Sequence, residues 1–148
     1  MQDDASRPAE RRDAADAPLP GDPESAYELL QRGRALMRQR HNAQAVVVLE
    51  RAAREEPGRG SILEALGRAA FNAGQHGRAH EVFAALLEVD PSSPYGHYAL
   101  AQSLRKLGRP AEAVTHLRLA CALDPGSALY RGALARAVAA LPRTVDEG

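Results

Sequence analysis

Cysteine is almost absent from this chain of 148 residues. Cys121 stands alone, which excludes an intramolecular disulfide and any metal cage built from cysteines. On the second amphipathic segment of its repeat, it reads as a small buried apolar residue. Tryptophan is missing, and the aromatic residues are four Tyr and two Phe. No run of about 18 apolar residues occurs, so no membrane-spanning helix is expected. The leading MQDDASRPAERRDAADAPLPGDP lacks the apolar core of a secretory signal, and the expected location is the cytoplasm. Lysine is as scarce as cysteine. Lys106 accompanies 18 arginines, and with abundant Ala this bias resembles that of a high-GC bacterial genome, actinobacterial by expectation.

Chemistry-bearing motifs are missing as well. There is no Gly-rich phosphate loop, no nucleophile elbow and no metal-binding helix pair, and the glycines stand singly. His76 and His80 have an i, i+4 spacing, but His76 falls in a turn and has no carboxylate three or four residues to either side, which is weak for zinc. These absences predict a protein that is not an enzyme and needs no cofactor or metal.

Charge of one sign is also lacking, since formal net charge is zero with 26% charged residues. The distribution is less even. Residues 1–24 carry seven acids and three arginines, whereas residues 25–141 carry 15 basic and 10 acidic residues. Residues 1–22 show no periodic apolar face, so they are expected to be a disordered tail, as are residues 142–148.

What is present is a repeat. Pro57, Pro91 and Pro125 each follow an amphipathic stretch and are 34 residues apart. The same step aligns Gly33 with Gly67 and Ala101, Ala45 with Ala79 and Ala113, and Leu49 with Phe83 and Leu117. A fourth column holds Leu29, Leu63 and His97, which places His97 in the core against the preceding repeat. Each unit contains two amphipathic segments split by a turn at 40–42, 74–76 or 108–110. Gly74 and Gly108 sit where a helix end favours positive φ, and Ser93–Pro94 reads as a cap and first turn. The small columns mark places where paired helices cross, because a larger side chain would push the axes beyond the roughly 8–10 Å of close packing. Repetition at a fixed period predicts an all-α solenoid.

The spacing of Leu29, Gly33, Leu36, Ala45, Leu49, Ala52 and Pro57 resembles the tetratricopeptide repeat (TPR), and the next two units follow it. Arg32 and His97 depart from the family pattern. The resemblance implies a right-handed superhelix of about seven helices over residues 23–141. Its repeats would span about 26–59, 60–93 and 94–127, with a capping helix over 127–141. That cap would cover the third repeat through Tyr130, Leu134, Val138 and Leu141. Its alanine-rich outer face suggests weak self-association through residues 128–141.

The resemblance also implies that partners lie along a concave groove made by the first helix of each pair. The groove residues would be Tyr27, Leu30, Arg34, Met37 and Arg38, then Ser61, Glu64, Arg68, Phe71 and Asn72, then Tyr95, Tyr98, Gln102, Arg105 and Lys106, with Arg136 from the last helix. Arginines fork onto carboxylates, Tyr and Phe take apolar side chains, and Asn72 and Gln102 can meet a peptide backbone. The expected partner is another protein, bound through an acidic or carboxyl-terminal peptide segment. Two alternatives are association with nucleic acid through the same groove, for which the charge is thin, and a structural subunit joined through the terminal helix. Chaperone-binding members hold a terminal carboxylate with Lys, Asn and Arg. The places read as equivalent hold Leu30, Arg34, Ala65, Tyr95 and Ala99, of which only Arg34 suits that role.

Overall fold

The computed structural model describes residues 23–143, so the segments 1–22 and 144–148, expected to be disordered, lie outside the described residues. Within them the chain forms seven helices: α1 (Ala26–Arg38), α2 (Asn42–Glu55), α3 (Gly60–Asn72), α4 (His76–Val89), α5 (Pro94–Lys106), α6 (Pro110–Leu123) and α7 (Ala128–Ala139). The fold is all-α, with no strand among the described residues. The second helices α2, α4 and α6 each stop two residues before Pro57, Pro91 or Pro125. Such a stop follows from the proline ring, which disfavours helical backbone in the residue before it.

Local chemistry sets the boundaries. Ser25, Ser93 and Ser127 are N-caps whose hydroxyls accept from the amides of Glu28, Gly96 and Tyr130, each satisfying a donor that the first turn leaves unpaired. Gly74 and Gly108 take φ of 80° and 74° in the turns after α3 and α5. In the turn after α1 the left-handed place is held by Arg40 at φ 63°.

Each helix packs on the next, and the first helices also touch across repeats, α1 on α3 and α3 on α5. The second helices lie further apart. Stacking with closer approach on one side curves the slab, and its concave surface is made by α1, α3 and α5. The core runs its full length. Leu29, Leu49, Ile62, Leu66, Phe83, Leu104 and Leu117 are each at most 1% exposed, and each Leu-size side chain so buried contributes roughly 1.5–3 kcal/mol. The small columns act as expected: a Cβ on Gly33 would lie 2.5 Å from the Leu49 side chain, and one on Gly67 would lie 2.5 Å from Phe83. Ala45, Ala79 and Ala113 are fully buried.

Three expectations need correction. In α7, Ala133 and Ala137 are the buried residues, while Val138 is 44% exposed. Methyl side chains let α7 lie close to α6, so Leu134 and Leu141 pack at the edges and Val138 turns outward. His97 is buried between two partners: Nε2 lies 2.9 Å from the carbonyl of Pro91, which belongs to the preceding repeat, and Nδ1 faces His116 Nδ1 of α6 in its own helix pair at 3.1 Å. Cys121 is half-buried rather than enclosed. His76 is the first residue of α4 and not a turn residue, with its ring edge-on to Phe71 at 4.9 Å. Arg32, out of place in the family pattern, is exposed and pairs with Glu24 at 2.8 Å.

Candidate functional site

The 34-residue step that stacks the core also sets the concave surface. Residues on the open side of α1 recur on α3 and α5, so Tyr27, Ser61 and Tyr95 form one row, and Leu30, Glu64 and Tyr98 a second. Further rows hold Arg34, Arg68 and Gln102, then Met37, Phe71 and Arg105, then Arg38, Asn72 and Lys106.

Between α1 and α3 a depression of about 380 Å³ is lined by Arg34, Met37, Arg38, Glu64, Arg68 and Asn72. A neighbouring cavity of about 200 Å³ is lined by Arg68, Phe71, Asn72, Tyr95, Tyr98 and Gln102, with Phe83 and Ala99 beneath. Arg68 and Asn72 border both, so the two run together. Phe71 and Gln102 continue into a shallow opening beside Arg105 and Lys106. At the opposite end Tyr27 and Arg34 border a recess over Leu30. The result is one trough across three helices, apolar in its middle and cationic along its sides. Arg136 stands apart from it, with its guanidinium against Gly132.

The aromatic centre is held from below. Tyr95 meets Phe83 edge-on at 6.2 Å, Tyr98 lies 6.3 Å from Tyr95, and Tyr130 of α7 packs on Tyr98 at 5.2 Å. Tyr130 belongs to this chain of rings, although the sequence placed it only in the cap. Burial pushes the Tyr95 phenol up to about 12, with Arg68 opposing the shift and Glu64 adding to it. The Tyr95 hydroxyl is therefore a donor throughout the neutral range. Gln102 is engaged at both ends of its amide: Nε2 donates to Tyr98 Oη at 3.1 Å, and Oε1 accepts from Arg105 Nη1 at 3.2 Å. It orients those two residues and keeps one N–H and one oxygen lone pair for a peptide backbone, and Asn72 is exposed. With its oxygen accepting from Gln102, the Tyr98 hydroxyl keeps its own proton for donation, and such a relay strengthens the terminal donor.

Among the described residues, Arg34, Arg38, Arg68, Arg105 and Lys106 have no carboxylate partner within 4.0 Å. Elsewhere arginines do find acids. Arg78 grips Glu50 with two hydrogen bonds of 2.7 and 2.8 Å and Glu81 with a third, which raises its pKa further above the usual range. Arg109 forks onto Glu112 in the same way.

The family model of the tetratricopeptide repeat matches residues 30–94 and 64–128. The chain belongs to the tetratricopeptide-repeat family. No curated protein matches the sequence at a significant level. Among solved structures, this TPR chain is similar to the first TPR of Spaghetti (RPAP3) bound to the HSP90 peptide SRMEEVD. The TM-score is 0.75 at 15% identity, covering 80% of this chain and 94% of that one. It is similar to the Yersinia enterocolitica type III secretion chaperone SycD in complex with a peptide of the translocator YopD (TM-score 0.67, 18% identity, 76% and 86% covered). It also resembles YrrB, a TPR protein with an unusual peptide-binding site, at TM-score 0.72 and 22% identity. There it covers 75% of this chain and 57% of that one. At these identities the likeness is one of fold.

Of the places read as equivalent to those of chaperone-binding members, Ala65 and Ala99 line the two depressions at 5% exposure and offer only methyl groups there. Arg34 is the one member of that set, with Leu30, Ala65, Tyr95 and Ala99, that carries a positive charge.

Proposed function

We propose that this TPR chain is a protein–protein interaction adaptor that binds an extended acidic peptide segment or carboxyl terminus in the trough of α1, α3 and α5. The observation that carries this reading is the row of cations that, among the described residues, have no carboxylate partner and flank an aromatic cavity. Arg34, Arg38, Arg68, Arg105 and Lys106 would meet carboxylates, with the arginines able to do so bidentately. Phe71, Tyr95 and Tyr98 would take one apolar side chain of the peptide. Tyr98 and Asn72 would supply donors for its backbone or carboxylates. Peptides bound by TPR proteins of this fold, including the HSP90 and YopD segments, support the assignment of a binding role. An open surface of this kind suits adaptor work and not catalysis, which usually needs a water-excluding pocket. Affinity in the micromolar range is expected, which corresponds to about −8 kcal/mol.

The test is fluorescence anisotropy with a labelled peptide that carries Asp and Glu around one Leu, against wild type and the Arg34→Glu, Arg68→Glu, Arg105→Glu triple variant. Binding should weaken at least tenfold in the variant with the thermal melt unchanged. Equal binding by both proteins contradicts the reading. A single-stranded oligonucleotide titrated in parallel that binds more tightly and falls steeply between 50 and 200 mM salt would favour nucleic acid instead, on the order of the losses expected for several phosphate contacts.

A further inference from the structure

We infer that the trough has an occupant within the same chain: the acidic N-terminal segment, residues 3–22, lies along it in cis and must be displaced by any external peptide. The inference rests on the trough being a peptide site, and it adds regulation of that site.

Charge complementarity is the first argument. Residues 3–22 carry six acids against three arginines, whereas the trough carries five cations along its sides against Glu64. Both imbalances are local in a chain whose net charge is zero. The segment closest to α1 is also the part that suits the site best. In DAADAPLPGD, residues 13–22, Asp13, Asp16 and Asp22 surround Leu19, the one large apolar residue between Gln2 and Ala26. One apolar side chain among acids matches one aromatic cavity among cations. Pro18 and Pro20 flank Leu19, and a Pro-Leu-Pro sequence has little entropy to lose on being laid out as an extended strand.

Reach is the second argument. Successive helices are antiparallel, so α1, α3 and α5 run in the same direction. Tyr95, in the first turn of α5, therefore lies at the same end of the slab as Ser25, the cap of α1. The distance from α1 to α5 is two helix spacings, roughly 20 Å at about 8–10 Å each. Leu19 is seven residue steps from Ala26, and extended chain covers about 23–25 Å in that length once the surface pair of Glu24 with Arg32, worth little in stability, is released. Leu19 can reach the Tyr95–Tyr98 cavity while the residues after it pass Tyr27. Chain connectivity then presents the segment at an effective concentration on the order of millimolar, which competes with a micromolar ligand only in part. The device is a threshold: partners must outbid the tail.

The test uses the full chain. A nitroxide is placed on Ala14→Cys in a Cys121→Ser background, and amide broadening is read by NMR at low salt. Broadening is expected at Arg68, Tyr95 and Tyr98, and it should disappear when Arg34→Glu and Arg68→Glu are added. Broadening limited to the first turn of α1, or unaffected by those charge reversals, overturns the inference. A second arm neutralises the tail with Asp13→Asn, Asp16→Asn and Asp22→Asn and repeats the anisotropy titration with the external acidic peptide. Its affinity should rise by on the order of tenfold. An unchanged affinity for a peptide that does bind overturns the cis contact and leaves the peptide site standing, whereas absence of both external binding and broadening removes both.

Discussion

His97 and His116 face each other Nδ1 to Nδ1 at 3.1 Å between α5 and α6, with rings stacked at 5.3 Å. The contact dictates its own tautomers. The Pro91 carbonyl can only accept, so His97 Nε2 carries hydrogen and its Nδ1 is an acceptor. His116 must then donate from Nδ1, leaving its Nε2 as the atom that can take a further proton. Burial lowers the His116 pKa, the neighbouring His97 lowers it more, and His80 of α4 adds to this against the opposing charge of Glu112.

Because the folded pKa of His116 is depressed, its neutral form contributes stability that is complete above about pH 6.5, the ordinary histidine value, and is lost as pH falls through the folded pKa. Thermal melts from pH 8 to pH 5 should show this decline, and His116→Gln should flatten it. Glu112 faces the same ring and is held ionised by Arg109, so it should not titrate across this window. A wild-type melting temperature that is constant over the range contradicts the prediction.

Gly67 lies under Phe83 at the crossing of α3 and α4. Gly67→Ala gains about 1 kcal/mol in helix propensity but overpacks the crossing at about 1–3 kcal/mol. The expected net effect in urea unfolding is a destabilisation. The third pair has Ala101 in that column with Leu117 in place of Phe83. Gly67→Ala combined with Phe83→Leu should therefore recover much of the loss, and additive losses in the double variant would contradict the crossing argument.

Arg40 occupies the left-handed place that Gly74 and Gly108 hold in the other two pairs. A side chain there costs roughly 1–2 kcal/mol, and glycine returns some of that in chain entropy. Arg40→Gly should stabilise the protein by about 0.5–1 kcal/mol, measured by urea unfolding. A loss of stability would mean that the Arg40 side chain holds contacts of its own.

The repeat was legible because its signals are steric and periodic. Gly33, Gly67 and Ala101 recur where helices cross, and the prolines mark where second helices end. The trough rows came from the resemblance to the tetratricopeptide repeat, which supplied the groove-facing places such as Tyr27 and Arg34, and the period relates each place to its counterparts, as Arg34 to Arg68. What the period does not carry is partner identity between helices. His116 lies 19 residues from His97 in the column of the buried Val48 and Val82, so both histidines stand at core places, but the period does not say that the two rings meet. The register of α7 was ambiguous for another reason. Alanine surrounds that helix, so Val138 looked like a core residue until Ala133 and Ala137 were seen to make the contact. The contacts of Gln102 with Tyr98 and Arg105 were not legible either, because hydrogen bonds within one helix face depend on rotamers that spacing does not specify.

The most direct measurement is amide shift mapping by NMR on the full chain titrated with the acidic, leucine-containing peptide. The account predicts that the largest movements fall on Arg34, Arg68, Tyr95 and Tyr98 and saturate together. Movements concentrated on α7 around Leu129 and Val138, or on the Arg78–Glu50 side of the slab, would contradict it.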